Sequence, residues 1–296
     1  MSETHTALTL QTLLAAYPNT EGLRSGRVRS PLVEFAFADV KTANKAFKAL
    51  VREQKFDLGE LAIVTFLQAK AYGKPYVLIP ATVVARGQHH TIFYNPKRGH
   101  LNPGDLNGSK VGVRAYTQTT GAWVRGFLEE DYGVDFQRVQ WITFEEPHVN
   151  EFTDPPWARR APEGKRLLQM LLEGEIDAAI FGSENPEGTP LRPLIPHAEE
   201  VAARWAEKHG GIPINHMMVI KESISKDRPD VVREVYRMLK ESTAASSSNG
   251  AGALRFGVEA VRKSLETIIR YSERQGLIPR RFSVDELFND VTRSLE

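Results

Sequence analysis

One stretch constrains the fold of this 296-residue chain more than any other: LNGSKVGVRAYTQTTGAWVRGFLEEDYGV, residues 106–134. Its short apolar run, Val111, Gly112 and Val113, has the character of a buried strand. A polar turn follows, Thr117-Gln118-Thr119-Thr120-Gly121, and apolar residues then recur at helical spacing. A strand that turns directly into an amphipathic helix belongs to an α/β layer, because the helix must bury its stripe against the sheet. The turn also has chemical character. The first amides of a helix have no carbonyl one turn earlier to bond, and they carry the positive end of the helix dipole. With hydroxyls and a glycine beside them, Gln118, Thr119 and Thr120 form an expected seat for a carboxylate. An ordinary helix cap is the alternative.

The same alternation runs along the chain. Strands are expected at 8–14, 31–37, 76–84, 91–94, 139–144, 176–181 and 214–220, and helices at 42–53, 166–173 and 229–242. Residues 56–69 (FDLGELAIVTFLQA) run from a buried strand into a helix through Val64, Thr65 and Phe66, and 103–106 start a brief helix. The Pro-rich, charged segment 145–164 has the composition of a surface loop, one long enough to fold over a site. Small residues at 244–252 (AASSSNGAG) are expected to be locally disordered. Helices close the chain, and SVDEL at 283–287 resembles a capping start. Largely parallel sheets in two lobes follow from the alternation and the length.

Composition excludes several classes. Hydrophobic residues make up 41% and charged ones 25%, as in an ordinary globular protein. The net charge of +1 supplies no electrostatic reason for nucleic acid or an anionic membrane surface as partner. The absence of cysteine removes disulfides, thiol nucleophiles and thiolate metal sites, while His and carboxylate metal sites stay open. No apolar run approaches the length of a membrane span. The first residues carry no Lys or Arg before Arg24 and their apolar positions are broken by Thr and Gln, unlike a secretory signal, so a cytoplasmic location is expected.

The order of elements resembles the type II periplasmic-binding-protein-like fold, two α/β lobes with mixed, mostly parallel sheets joined by two hinge strands. NPGDLNGSKVGV (102–113), GEIDAAIFG (174–182) and INHMMVIKESISKDRPDVVREVYRML (214–239) carry that likeness. Within the superfamily the chain resembles the 4,5-dihydroxyphthalate decarboxylase family. The likeness lies in YPNTEGLRSGRV (17–28), FDLGELAIVTFLQAKAYG (56–73), RGQHHTIFY (86–94), TTGAWVRGFLEEDYGV (119–134) and SERQGLIPRRFSVDELF (272–288). The resemblance implies one lobe from 1–90 plus 221–296 and another from 91–220, with hinge strands near 91–95 and 214–220.

It also implies nonoxidative decarboxylation of a hydroxylated aromatic carboxylate held in the interlobe cleft. Such chemistry must hold the carboxylates, protonate the ring carbon that loses CO₂ and stabilise charge on the phenol oxygens. Arg86 and His90 match the family's Arg-to-His segment. Arg86 would grip a carboxylate bidentately, and His90 would donate the proton, since imidazole titrates near neutral pH. His89 would point the other way on a strand. Glu60, on the buried strand, would assist, and Asp57 would be structural. Thr65 would hydrogen-bond the ligand, Phe66 would stack on its ring or sit in the core, and Arg114 would face the cleft. His216, on the returning strand, would approach His90. No organic cofactor is expected; a divalent metal held by His90, His216 and Glu60 stays open, as does a homo-oligomer. The alternative function is a solute-binding protein for a small carboxylate or aromatic acid, without catalysis.

Overall fold

The computed structural model describes residues 7–182, 186–246 and 254–296. In chain order the elements begin with β1 (Leu8–Leu13), α1 (Glu21–Arg24), β2 (Val33–Phe37), α2 (Phe47–Glu53), β3 (Leu58–Ala62), α3 (Ile63–Ala71) and β4 (Tyr76–Ala85). Next come β5 (Ile92–Tyr94), β6 (Lys110–Val113), α4 (Thr119–Tyr132), β7 (Gln140–Thr143), β8 (Ala158–Arg160), α5 (Leu167–Glu173) and β9 (Ala178–Ile180). The chain closes with β10 (Arg192–Pro193), α6 (Ala198–His209), β11 (Ile214–Lys221), α7 (Glu222–Asp227), α8 (Pro229–Ala244), α9 (Val258–Arg274) and α10 (Asp290–Arg293).

Two compact units result. The first comprises Met1–Arg86, Ile214–Glu266 and Arg280–Glu296; the second comprises Gly87–Pro213 and Thr267–Pro279. The boundaries differ from those expected. Residues 214–220 belong to the first unit, because β11 is hydrogen-bonded between β3 and β4 in its sheet. Residues 87–90 and 267–279 belong to the second. In the latter segment Tyr271 donates to Glu130, and Gln275 both accepts from Arg125 and donates to Ala122, which ties it to α4.

In the first unit the strand order is β2-β1-β3-β11-β4, parallel across β2, β1 and β3 and antiparallel at β11. Its core is aliphatic, with Leu10, Leu58, Ile79 and Ile220 from the strands packed on Val231, Val235 and Leu239 of α8. The second unit orders its strands β10-β5-β9-β6-β7-β8. Here β9, β6, β7 and β8 are parallel, and β5 and β10 run antiparallel at the edge. The parallel neighbours β6 and β7 are joined through α4, the usual strand-helix-strand route. In α4, Gly126 permits close packing: a Cβ there would run into the Tyr271 ring.

Three segments depart from expectation. The 145–164 stretch is more than a surface loop: β8 lies within it, parallel to β7, and His148, Val149 and Phe152 are buried. Helix α6 occupies a region where no element was expected. Of residues 244–252, those from 247 onward lie outside the described residues; Ala244 ends α8. The capping start at Ser283 is present: its backbone N–H donates to Glu286 Oε2 at 2.7 Å, and Glu286 N–H donates back to Ser283 Oγ at 3.4 Å. Among the described residues no helix is long and apolar enough to cross a membrane.

Candidate functional site

Among the described residues, a polar cluster in each unit gathers expected site residues. In the first unit the cluster is built on the antiparallel register of β3 and β11, in which Glu60 faces Met218 and Ala62 faces His216. Glu60 and His216 are therefore diagonal neighbours on one face of the sheet, a separation that long side chains span. Glu60 has no exposed surface. Its Oε1 accepts the Ala15 N–H at 2.8 Å; its Oε2 accepts the Tyr17 hydroxyl at 3.1 Å and contacts His216 Nδ1 at 3.0 Å. The Phe47 ring meets the imidazole edge-on at 5.3 Å between centroids.

Such satisfaction is what a buried carboxylate needs, since an unpaired one would be costly. It also fixes the histidine. A carboxylate at Nδ1 holds the tautomer with the proton there and leaves Nε2 as the working nitrogen. The His216 side chain is about one-fifth exposed, so Nε2 chemistry is compatible with access from outside. Burial first, and then the Glu60 charge and hydrogen bond, push the Tyr17 hydroxyl far above its ordinary range. Tyr17 therefore stays a neutral donor to Glu60.

Other expected residues of this unit are placed as follows. Asp57 accepts from the Gln11 N–H and the Lys221 ammonium, a structural role as anticipated. Thr65 is buried in the first turn of α3. Phe66, with no exposed surface, is a core residue and offers no ring face for stacking. Arg86 follows β4 and is half-buried, and burial lowers its pKa.

In the second unit the polar turn before α4 forms as expected. Gln118 is extended at the N-cap, its carbonyl accepts the Ala122 N–H at 2.9 Å, and Thr119 and Thr120 are buried in the first turn. Arg114 is committed elsewhere: its Nη1 donates to Glu145 Oε2 at 2.8 Å, so the expected ligand-facing cation is a partly exposed ion pair. His89 and His90 lie in a 3-10 turn, His89–Thr91, and not on a strand, so they do not alternate across a sheet. His89 is fully buried and stacked on Phe127, with centroids 4.0 Å apart and planes within 3°. Burial pushes its pKa down to about 4 against the opposing charge of Asp131. His90 is half-buried. The histidine that bonds Glu60 is thus His216, where His90 was expected as its catalytic companion.

Beneath the α4 start lies a group that the sequence alone does not announce. Arg125 has no exposed surface. Its Nε donates to Gln275 Oε1 at 2.7 Å, its Nη2 donates to the Tyr116 carbonyl at 2.7 Å, and its guanidinium lies 4.1 Å from the Tyr116 ring centroid. Trp157 donates to the Tyr116 hydroxyl at 2.8 Å, which in turn donates to the Gln275 carbonyl at 3.1 Å. No short-range spacing announces this cluster; Tyr17, by contrast, sits in a motif already quoted. Among the described residues no group of three or more His, Asp or Glu side chains is arranged to hold a metal ion.

Solved structures place this architecture in a class. The alkanesulfonate-binding protein from Xanthomonas axonopodis pv. citri superposes with a TM-score of 0.60 at 13% identity, covering 97% of this chain and 99% of that one. The chain thus has the two-lobed type II periplasmic-binding-protein-like fold. No family model matches it. Among curated proteins, 4,5-dihydroxyphthalate decarboxylase from Pseudomonas putida is 30% identical over 181 residues, 58% of this chain and 70% of that protein. The protein of the same name from Comamonas testosteroni is 27% identical over 252 residues, 81% of this chain and 76% of that one. The chain belongs to the 4,5-dihydroxyphthalate decarboxylase family, a family of carboxy-lyases.

Proposed function

We propose that the chain catalyses nonoxidative decarboxylation of a hydroxylated aromatic carboxylate of the 4,5-dihydroxyphthalate type, with His216 as proton donor. The observation that carries this reading is the 3.0 Å contact of His216 Nδ1 with the buried carboxylate of Glu60. Glu60 holds the imidazole by its Nδ1, and Nε2 delivers a proton to the ring carbon that bears the carboxylate. The ring hydroxyls support the positive charge that develops. The bond from ring carbon to carboxyl carbon breaks, its electron pair restores the aromatic ring, and CO₂ leaves. His216 regains its proton from water, so one proton is consumed for each CO₂ released.

Carboxylate capture falls to Gln118, Thr119 and Thr120 at the start of α4, by first-turn amides and hydroxyls, and to Arg86 by its guanidinium. The chemistry calls for no organic cofactor, and the enzyme is taken to act in the cytoplasm on a small aromatic acid. His90, expected as the acid, has the lesser claim because Glu60 is bonded to His216.

The test is CO₂ release from purified protein across hydroxylated benzoates and phthalates, with and without EDTA. Release from the dihydroxylated dicarboxylate, absent from unhydroxylated phthalate, is the expected result. Loss of activity in EDTA would add a metal to the mechanism. Tight binding of the acids with no CO₂ would instead make the chain a solute-binding protein, as its fold neighbour is.

A further inference from the structure

Arg125 is a buried cation in the α4 cluster with no carboxylate among its hydrogen-bond partners. Its hydrogen bonds go to a side-chain amide and a backbone carbonyl, and its faces meet the rings of Tyr116 and Trp141, the latter at 5.1 Å. All of these groups are neutral. The third nitrogen, Nη1, is buried and has no hydrogen-bond partner among the described residues. It lies 3.2 Å from where a Cβ on Gly121 would stand, beside the first turn of the 14-residue helix α4.

The carboxyl that acts on it electrostatically, Asp154, makes no ion pair with it among the described residues. Burial raises the pKa of Asp154 despite the opposing charges of Arg160 and Arg125, and its Oδ1 is itself buried without a partner. A buried cation held only by neutral groups is expensive. Placing it against a helix start, itself the positive end of a dipole, adds like charge to like. An anion arriving at the helix start supplies the missing charge.

We propose that Arg125 is a positioning residue that gives the α4 start its preference for a dianionic aromatic acid over a monoanionic one. The inference rests on the assignment of that helix start as a carboxylate seat. Arg125 acts through the first turn of α4 and not by contact: Gly121 lets the guanidinium approach the turn, and the Gln275 and Tyr116 bonds hold it there. Its charge strengthens the field that the amides of Thr119 and Thr120 present.

Two variants separate charge from scaffolding. Arg125→Lys keeps the charge but not the planar fork, and Arg125→Gln keeps hydrogen-bonding groups but not the charge. The probes are phthalate and benzoate, with affinities measured by calorimetry and folding checked by thermal melting. Wild-type protein is expected to favour phthalate about tenfold, the scale of one extra charge interacting across a few ångströms of partly screened medium. Arg125→Lys should keep most of that ratio, and Arg125→Gln should lower it severalfold, leaving the share that Arg86 contributes. With the dihydroxylated substrate, Arg125→Gln should raise KM and change kcat little. A wild-type ratio near one overturns the proposal, as does equal damage in both variants, which is what a purely structural arginine gives. Absence of CO₂ release with the phthalate preference intact would sink the decarboxylase assignment and leave this one standing.

Discussion

Glu60 and Arg125 are both charged side chains with no exposed surface, and their surroundings are opposite. Glu60 is surrounded by donors: a backbone amide, a phenol and an imidazole. Arg125 has two neutral acceptors and a spare nitrogen. A satisfied buried charge is fixed in place and orients what it touches, which suits proton transfer through His216. One without a carboxylate in hydrogen-bond range projects its field past its own contacts, which suits attraction of an anion. Each unit of the chain therefore contributes a different kind of electrostatics.

Removing the charge at Glu60 should have the largest effect. Glu60→Gln replaces the carboxylate that sets the tautomer by an amide that can also donate to Nδ1, and in a comparable triad that exchange costs about 10⁴ in turnover. Steady-state CO₂ release would measure it; a loss below tenfold would reduce Glu60 to a structural acid.

Two histidines sharpen the same contrast. His216 is paired with a carboxylate, while His89 is buried against Phe127 with its pKa pushed down to about 4. The unfolded chain takes up a proton on this histidine near pH 6.5, and the folded chain does so only near 4. Between those values the unfolded state binds more protons, so folding stability falls as pH drops. The loss should reach about 3 kcal/mol once pH 4 is passed. Urea unfolding at pH 7 and at pH 4.5 should show that fall in wild-type protein and a shallower one in His89→Phe. Some slope should remain in the variant, because burial also lowers the His209 pKa. An unchanged slope would mean His89 is not the titrating group.

Smaller effects follow. Tyr17→Phe removes one of the donors to Glu60 and should cost about 1 kcal/mol, the net worth of one hydrogen bond, measured as a shifted urea midpoint. An effect near zero would indicate that Glu60 finds a replacement. Arg114→Ala breaks only a partly exposed ion pair with Glu145. It should change stability by less than about 1 kcal/mol and leave phthalate affinity unchanged; a large drop in affinity would restore Arg114 to the site.

Much of this was legible in the chain itself. Strands β1, β3, β6 and β9 and helices α4 and α8 announce themselves by apolar runs or helical spacing, because their burial is local and periodic. Helix α6 was missed although AEEVAARWAEKH is rich in helix formers, carries acids in its first turn and ends at Gly210 in a left-handed conformation. Its apolar stripe is thin, with Trp205 as its buried residue, so the hydrophobic pattern was faint. Strand β8 reads Ala-Arg-Arg and takes its shape from pairing with β7, which no local signal encodes.

The site divides in the same way. Glu60 and His216 were legible as candidates, but their partnership spans 156 residues and depends on the β3–β11 register. His90 drew attention because it sits beside another histidine in a matching motif. Arg125 was invisible: an arginine in an amphipathic helix looks solvated until the tertiary fold encloses it.

The measurement that bears most directly on this account is single-turnover CO₂ release from the dihydroxylated phthalate by His216→Gln and His90→Gln, side by side with wild-type protein. Release that is lost in His216→Gln and kept in His90→Gln is the predicted result. Full release by His216→Gln would contradict it, and loss only in His90→Gln would return the proton to the histidine the sequence first suggested.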